Sequence, residues 1–148
     1  MKSLFETDTY EEIRARLNGL TENNERQWGK MTVGQMLRPC QLPIEIPLGK
    51  SDMKPPNFLI KMFGALIKKS LYNDKPWKQN LRTAPGFAIT DDKDFGAEKE
   101  RLLQLADELY GKRDTQLPKH PVFGELTMEQ WGKMHYKHLD HHLRQFNA

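Results

Sequence analysis

The chain has one cysteine, Cys40, among 148 residues. An internal disulfide is therefore impossible, and C-x-x-C redox or zinc chemistry is excluded. No hydrophobic run is long enough to span a bilayer: the most apolar stretch, Phe58 to Leu71, is broken by Lys61, Lys68 and Lys69. No segment alternates polar and apolar residues as a half-buried strand would, no Gly-rich phosphate loop is present, and there is no repeat, coiled coil or low-complexity tract. Charge of one sign is also nearly lacking. The 23 basic and 20 acidic side chains leave a formal +3, weak support for a nucleic-acid partner. The basic residues are dispersed enough to read as an ordinary solvated surface. Met1 to Tyr10 carries Glu6 and Asp8 and lacks the apolar core of a signal peptide. A cytoplasmic protein without nucleic-acid or membrane partners is the expectation.

What is present suits one domain over residues 1–148. Apolar residues make up 37% and charged residues 29%, which fits a soluble, globular chain of a size that can bury a core. Five stretches carry helical periodicity. The first spans about Asp8 to Leu20, with Ile13, Leu17 and Leu20 on one side. The second starts near Thr32, where Thr32 and Gln35 have capping-box spacing. Val33, Met36, Leu37, Cys40 and Ile44 form its apolar side. Pro39 and Pro43 fall inside this pattern and predict a kinked or interrupted helix ending before Gly49.

Pro55-Pro56 marks a linker before a third helix from Phe58 to Leu71. Its Leu59, Phe63, Leu66, Ile67 and Leu71 are expected to be buried. Residues 72–93 show no sustained period, and Trp77 and Phe87 are expected to pin this long crossover to the body. Such a loop forms either one wall of a pocket or an inert connection. The fourth helix runs from about Asp94 to Tyr110, with Gly111 as its C-cap. The fifth begins at the Thr127–Gln130 capping box and runs to about Phe146. The fold class is all-α, a four-helix bundle with an additional short helix or long crossover loop.

The fifth helix holds four of the five histidines: His135, His138, His141 and His142. At about 100° per residue, His142 lies about 40° from His138, Trp131 about 20° and Gln145 about −20°. His138 and His142 thus stand one turn apart on one face, a spacing that lets two imidazoles reach one metal ion. Zinc sites use three or four protein ligands, so another segment must supply the rest. His120 is a candidate, or else anchors its own loop by a hydrogen bond. Cys40, Gln41 and Glu45 are further candidates. Trp131 lies on the histidine strip, as a pocket wall or as core. Lys30, Arg38 and Lys133 are either anion contacts or solvated, and Asp140 points away from the histidine pair.

Three segments together are diagnostic. Trp28-Gly29-Lys30-Met31-Thr32-Val33-Gly34-Gln35-Met36-Leu37, then His120-Pro121-Val122-Phe123-Gly124, then the run from Trp131 to Phe146 with its H-x-x-H-H-x-x-Q motif resemble the DUF1569 family of the DinB/YfiT-like superfamily. The resemblance covers about Leu17 to Phe146. It implies a four-helix bundle, up-down-down-up and often dimeric, that holds a divalent metal (Zn, Ni or Fe) with three histidines at its open end. Two of those ligands carry over to His138 and His142. The third would follow the Gln-Met-Leu run, where relatives read Gln-Met-Leu-x-His-Cys. This chain reads Gln35-Met36-Leu37-Arg38-Pro39-Cys40, and the ligand position is Pro39. Proline has no side-chain donor, so metal should bind weakly or not at all.

Three functions follow from the residues and the resemblance. The first is a protein with a degenerate metal site that binds a small molecule through a pocket including Trp131, Gln145, Cys40 and His120. The second is a metal-dependent enzyme, a thiol transferase or hydrolase-like. His138 and His142 would be its ligands, His141 or His135 its base or a supporting group, and Gln145 would orient a ligand. The third is a structural or partner-binding homodimer.

Overall fold

In the computed structural model, described for residues 1–82 and 88–148, two threonines start the two helices that matter most. Thr32 accepts from the Gln35 backbone at 3.1 Å while the Gln35 side chain accepts from the Thr32 backbone at 2.9 Å. Thr127 and Gln130 repeat the arrangement at 3.2 and 3.0 Å. Each box satisfies two otherwise orphaned donors of a first helical turn. Among the described residues the elements are α1 (Thr7–Gly19), α2 (Val33–Glu45), α3 (Phe58–Ile67), a 3₁₀ turn (Lys68–Leu71), α4 (Phe95–Gly111) and α5 (Met128–Gln145). No strand forms there; one isolated bridge joins His120 and Gly124.

Four helices close a ring. α1 packs on α4 and α5, and α2 packs on the same two. Each contributes one apolar stripe: Ile13 and Leu17 from α1, Met36, Leu37, Cys40 and Ile44 from α2, Leu102, Leu105 and Leu109 from α4, and Trp131, Leu139 and Leu143 from α5. The period of these positions is what the bundle requires. The segment before α1 adds Leu4, fully buried. Its backbone nitrogen donates to the Gly132 carbonyl at 3.0 Å and ties the N-terminal strap across α5.

Three expectations need correction. Of the kinked or interrupted α2 that was expected, the interruption does not occur: Pro39 and Pro43 both lie within the continuous helix Val33–Glu45, which does end before Gly49. Four residues apart, they remove their donors along one strip of the helix, and burial of Val33, Met36, Leu37, Cys40 and Ile44 outweighs that loss. Gly111 closes α4 from inside, and Lys112 is the C-cap. The third correction is the largest. Leu59, Phe63 and Leu66 are 66%, 62% and 79% exposed, and of the five expected core positions of this stretch only Leu71 is buried. α3 touches none of the other four α-helices. It rests on the turn after His120 through Gly64, where a Cβ would stand 2.4 Å from Val122 Cγ1 and 3.3 Å from the Phe123 ring. Phe87, expected to help pin the crossover, lies outside the described residues.

Candidate functional site: a histidine and indole cleft at the end of α5

The C-terminal half of α5 projects three imidazoles toward the 70–80 segment and the Trp28 turn. His138 and His142 stand one turn apart, with ring centroids 4.9 Å apart and planes at 88°. His141 meets His142 edge-on at 5.3 Å. The spacing read from the sequence therefore does bring these rings together.

Two indoles cover them. Trp77 lies 5.8 Å from His138 and 5.7 Å from His141, and Trp28 lies 5.6 Å from His141. Trp77 is held by a strap. Lys137 Nζ donates to the Ser70 carbonyl at 2.6 Å and to Asn73 Oδ1 at 2.7 Å, and it stands 5.7 Å over the Trp77 ring. The Trp77 indole nitrogen donates to the same Ser70 carbonyl at 3.1 Å. Burial pushes the Lys137 ammonium below its usual pKa.

Trp28 is held through Gln145. The Gln145 amide nitrogen donates to the Trp28 carbonyl at 3.0 Å. This fixes the amide orientation, so its oxygen, 3.0 Å from His142 Nδ1, is the acceptor and the imidazole must donate. His142 is therefore the Nδ1–H tautomer, with its lone pair on Nε2. The preceding residue of this turn is fixed too, since the Gln27 backbone nitrogen donates to the Gln145 carbonyl at 2.7 Å. Gly29 adopts φ +82° in that turn, and a Cβ there would lie 2.7 Å from the Gln145 amide nitrogen.

Between the indoles opens a cleft of about 560 Å³, lined by Trp28, Trp77, Gln79, His141, Arg144, Asn147 and Ala148. Arg144 pairs with Asp140 on one side, and Asp140 in turn accepts from Arg16 at 2.9 Å. A guanidinium has five N–H donors, so Arg144 keeps capacity for an anion at the cleft's edge. Burial lowers the His141 pKa to about 4, helped by His142. Burial also lowers those of His138 and His142. At neutral pH the three rings are uncharged, and each offers one donor and one acceptor.

The other residues singled out in the sequence lie elsewhere. Trp131, Cys40 and His120 are buried away from the cleft, and Gln145, also buried, supports its Trp28 wall from behind without lining it. His120 organises its own turn: Nδ1 accepts from the Val122 and Phe123 backbones at 3.1 and 3.2 Å, and its ring lies 4.4 Å from Phe123. Burial lowers its pKa to about 4. His135 stacks on Trp131 at 5.6 Å and is lowered to about 3, again by burial. Cys40 Sγ contacts Met36 Sδ at 3.4 Å, and burial pushes its thiol far above the usual range. Gln41 bonds Glu98 at 2.6 Å, and Glu45 pairs with Arg38 at 2.6 Å. Lys133 pairs with Glu129 at 2.5 Å, and Lys30 is exposed.

The donor set can be tested against a divalent ion. Among the described residues no group of three His, Cys, Asp or Glu side chains is placed to hold a metal ion. His138 Nδ1 is buried with no partner, and His142, bonded to Gln145 through Nδ1, keeps its Nε2 lone pair free, but position 39 is a buried proline with no donor to add. His138 and His142 alone fall short of the three or four protein ligands of a usual zinc site, and the neighbouring His141 does not complete a group of three placed on one ion among the described residues, so these residues do not fit a resident three-histidine metal.

A family model described as "Protein of unknown function (DUF1569)" matches residues 2–148. The chain belongs to the DUF1569 family. No curated protein and no solved structure matches it. Family membership thus covers the whole bundle, α3 and the indole cleft included. The cleft is the part of this DUF1569 protein that sequence reasoning read least well. Trp77 was expected to pin the crossover to the body and Trp28 stood only in the segment that carries the family resemblance, and nothing in helical periodicity marks a wall formed by two irregular segments. The tryptophan after Pro76, in a crossover long enough to form a pocket wall, was the available signal.

Proposed function

We propose that this chain binds a small planar molecule, aromatic and neutral or anionic, in the cleft between Trp28 and Trp77. In this reading it is a DUF1569 protein whose metal site has degenerated. The observation that carries the reading is the pair of indoles set about one imidazole, with centroids 5.6 and 5.7 Å from His141 and an arginine at the edge. Indole faces favour flat apolar rings, neutral His141 supplies a directional hydrogen bond, and Arg144 suits a carboxylate. Pro39 supports the degenerate-site half of the proposal, because it stands where the resemblance places the first metal ligand.

A second reading, a divalent-metal enzyme of thiol-transferase or hydrolase type, draws on one observation. The buried Nδ1 of His138 has no partner, as a ligand nitrogen without its ion would not. This reading needs a third protein ligand besides His138 and His142.

One experiment separates the two. The ¹⁵N-labelled protein is titrated with benzoate, salicylate and indole-3-acetate, and separately with Zn²⁺ and Ni²⁺. The expected result is aromatic-acid shifts concentrated on the Trp28 and Trp77 indole N–H signals and the His141 ring. Binding should weaken about tenfold or more in Trp77→Ala, the scale of a lost aromatic contact. Metal should exchange freely on dialysis. Probes that leave both indoles unmoved, or a stoichiometric ion retained by His138, His142 and one further group, would overturn the proposal.

A further inference from the structure

α3 presents to solvent what a helix normally buries. Phe58, Leu59, Ile60, Met62, Phe63 and Leu66 are between 47% and 79% exposed. Together they form one contiguous exposed apolar surface, the kind that marks an interaction site on a folded chain. At about 100° per residue, with Phe58 at zero, these six occupy an arc from about 0° to 200°. Gly64, which docks the helix on Val122, lies near about 240°, and Lys61 lies near about 300°. The exposed arc is thus close to half the cylinder. An apolar stripe packed against a core is about 100° or more wide, and a bilayer interface takes in the half of a helix sunk about 5–10 Å into it.

Charge selects between two occupants, a second copy of the chain and a lipid surface. Residues 50–82 carry eight basic and two acidic side chains, against fifteen and eighteen in the rest of the chain. The near-neutral total conceals a strongly basic segment that contains the apolar helix. From Met53 to Asn73 there is no acidic residue, while Lys54, Lys61, Lys68 and Lys69 are present. Among the described residues Lys54, Lys61 and Lys69 have no carboxylate within salt-bridge distance. Two copies meeting through α3 would set like charge against like. An anionic phospholipid surface would attract all of it.

We propose that α3 is an interfacial anchor by which the protein lies on anionic membranes. Phe58, Phe63 and Leu66 enter the acyl boundary, and Lys54, Lys61 and Lys69 lie at headgroup level. No helix of the described chain is long and apolar enough to cross a membrane, so the mode is to lie on the surface. The anchor is separate from the indole cleft and does not depend on what the cleft binds.

The test is flotation of the full chain with phosphatidylcholine vesicles, with and without phosphatidylglycerol, alongside sedimentation equilibrium without lipid. Binding should require phosphatidylglycerol and fall steeply in high salt. Phe63→Glu/Leu66→Glu should abolish it. Lys61→Glu and Lys69→Glu should each weaken it about fivefold or more, as loss of one surface lysine predicts. All four positions are exposed, and an unchanged circular dichroism spectrum would show that the variants fold. Two outcomes overturn the proposal: no difference between the two vesicle compositions, or a lipid-independent dimer that Phe63→Glu/Leu66→Glu converts to monomer while the parent protein ignores vesicles.

Discussion

His142 donates its Nδ1–H to Gln145, and through that one amide the histidine-bearing end of α5 is tied to the Trp28 wall of the cleft. Gln145 is 3% exposed, so both of its bonds are made away from water. Gln145→Leu keeps the volume and removes both partners. It leaves the His142 nitrogen and the Trp28 carbonyl unpaired, and a buried unpaired group costs about 1–3 kcal/mol. Urea unfolding should show a loss of about 2 kcal/mol or more, and Trp28 fluorescence should report a looser turn. ¹⁵N chemical shifts of the wild-type ring should show His142 as the Nδ1–H tautomer. An Nε2–H tautomer would contradict the arrangement.

Acid should destabilise the fold well before its carboxylates titrate. His120 and His135 are buried neutral, with pKa values lowered from 6.5 to about 4 and about 3 by burial. Above about pH 6.5 both states leave these rings uncharged, and nothing is lost. Between about 6.5 and 4 the unfolded chain binds protons that the native chain refuses, so stability falls as pH falls. For His120 the loss is complete near pH 4, and its size is about 3 kcal/mol. His135 continues the decline to about pH 3. Urea midpoints measured from pH 7.5 to 4 should drop steadily, and the His120 ring signals should not titrate above about pH 5. A flat stability profile over that range would refute the assignment.

The sequence made the bundle legible because its period is repeated. Ile13 and Leu17, Leu102 with Leu105 and Leu109, and the stripe from Met36 to Ile44 each recur at helical spacing and are all buried. Both capping boxes were visible as threonine followed by glutamine three residues later, and the pairing of His138 with His142 followed from the turn of a helix. Burial in α3 was not legible, because an apolar period states which residues share a face and not whether another element covers it. The cleft was hidden for a related reason. Trp28 and Trp77 come from irregular segments, and their place depends on Gln145 and Lys137; helical period put Gln145 on the histidine face but says nothing of which loop it holds.

Gly64 is the point at which α3 meets the body, and it can be tested as a contact. Gly64→Ala would place a methyl 2.4 Å from Val122 Cγ1. Valine is stiff at χ1 and cannot swing away freely, so the helix or the turn must move, at about 1–3 kcal/mol. Val122→Ala makes room, and the double variant should recover most of the loss. A coupling energy of about 1 kcal/mol or more in the cycle would establish the contact. Additive effects would mean that α3 does not sit on Val122.

Lys137 is the residue on which the Trp77 wall depends most directly. The residue is 5% exposed, and its ammonium donates to the Ser70 carbonyl, the Asn73 carbonyl and the Asn73 amide oxygen. All three acceptors lie on the segment that leads into Trp77. Lys137→Met retains the apolar stem and removes the three donors. The Ser70 and Asn73 acceptors, exposed and half-buried respectively, then turn to water, the segment from 70 to 77 detaches from α5, and the indole loses the cation 5.7 Å above it. A stability loss of about 1–3 kcal/mol is expected. The sharper readout is local: faster amide exchange in 70–80, a red-shifted emission component from Trp77, and loss of the Trp77 ring-current shift on the His138 and His141 protons. If those shifts persist in Lys137→Met, the indole is held by its packing on the histidines alone and the strap is dispensable.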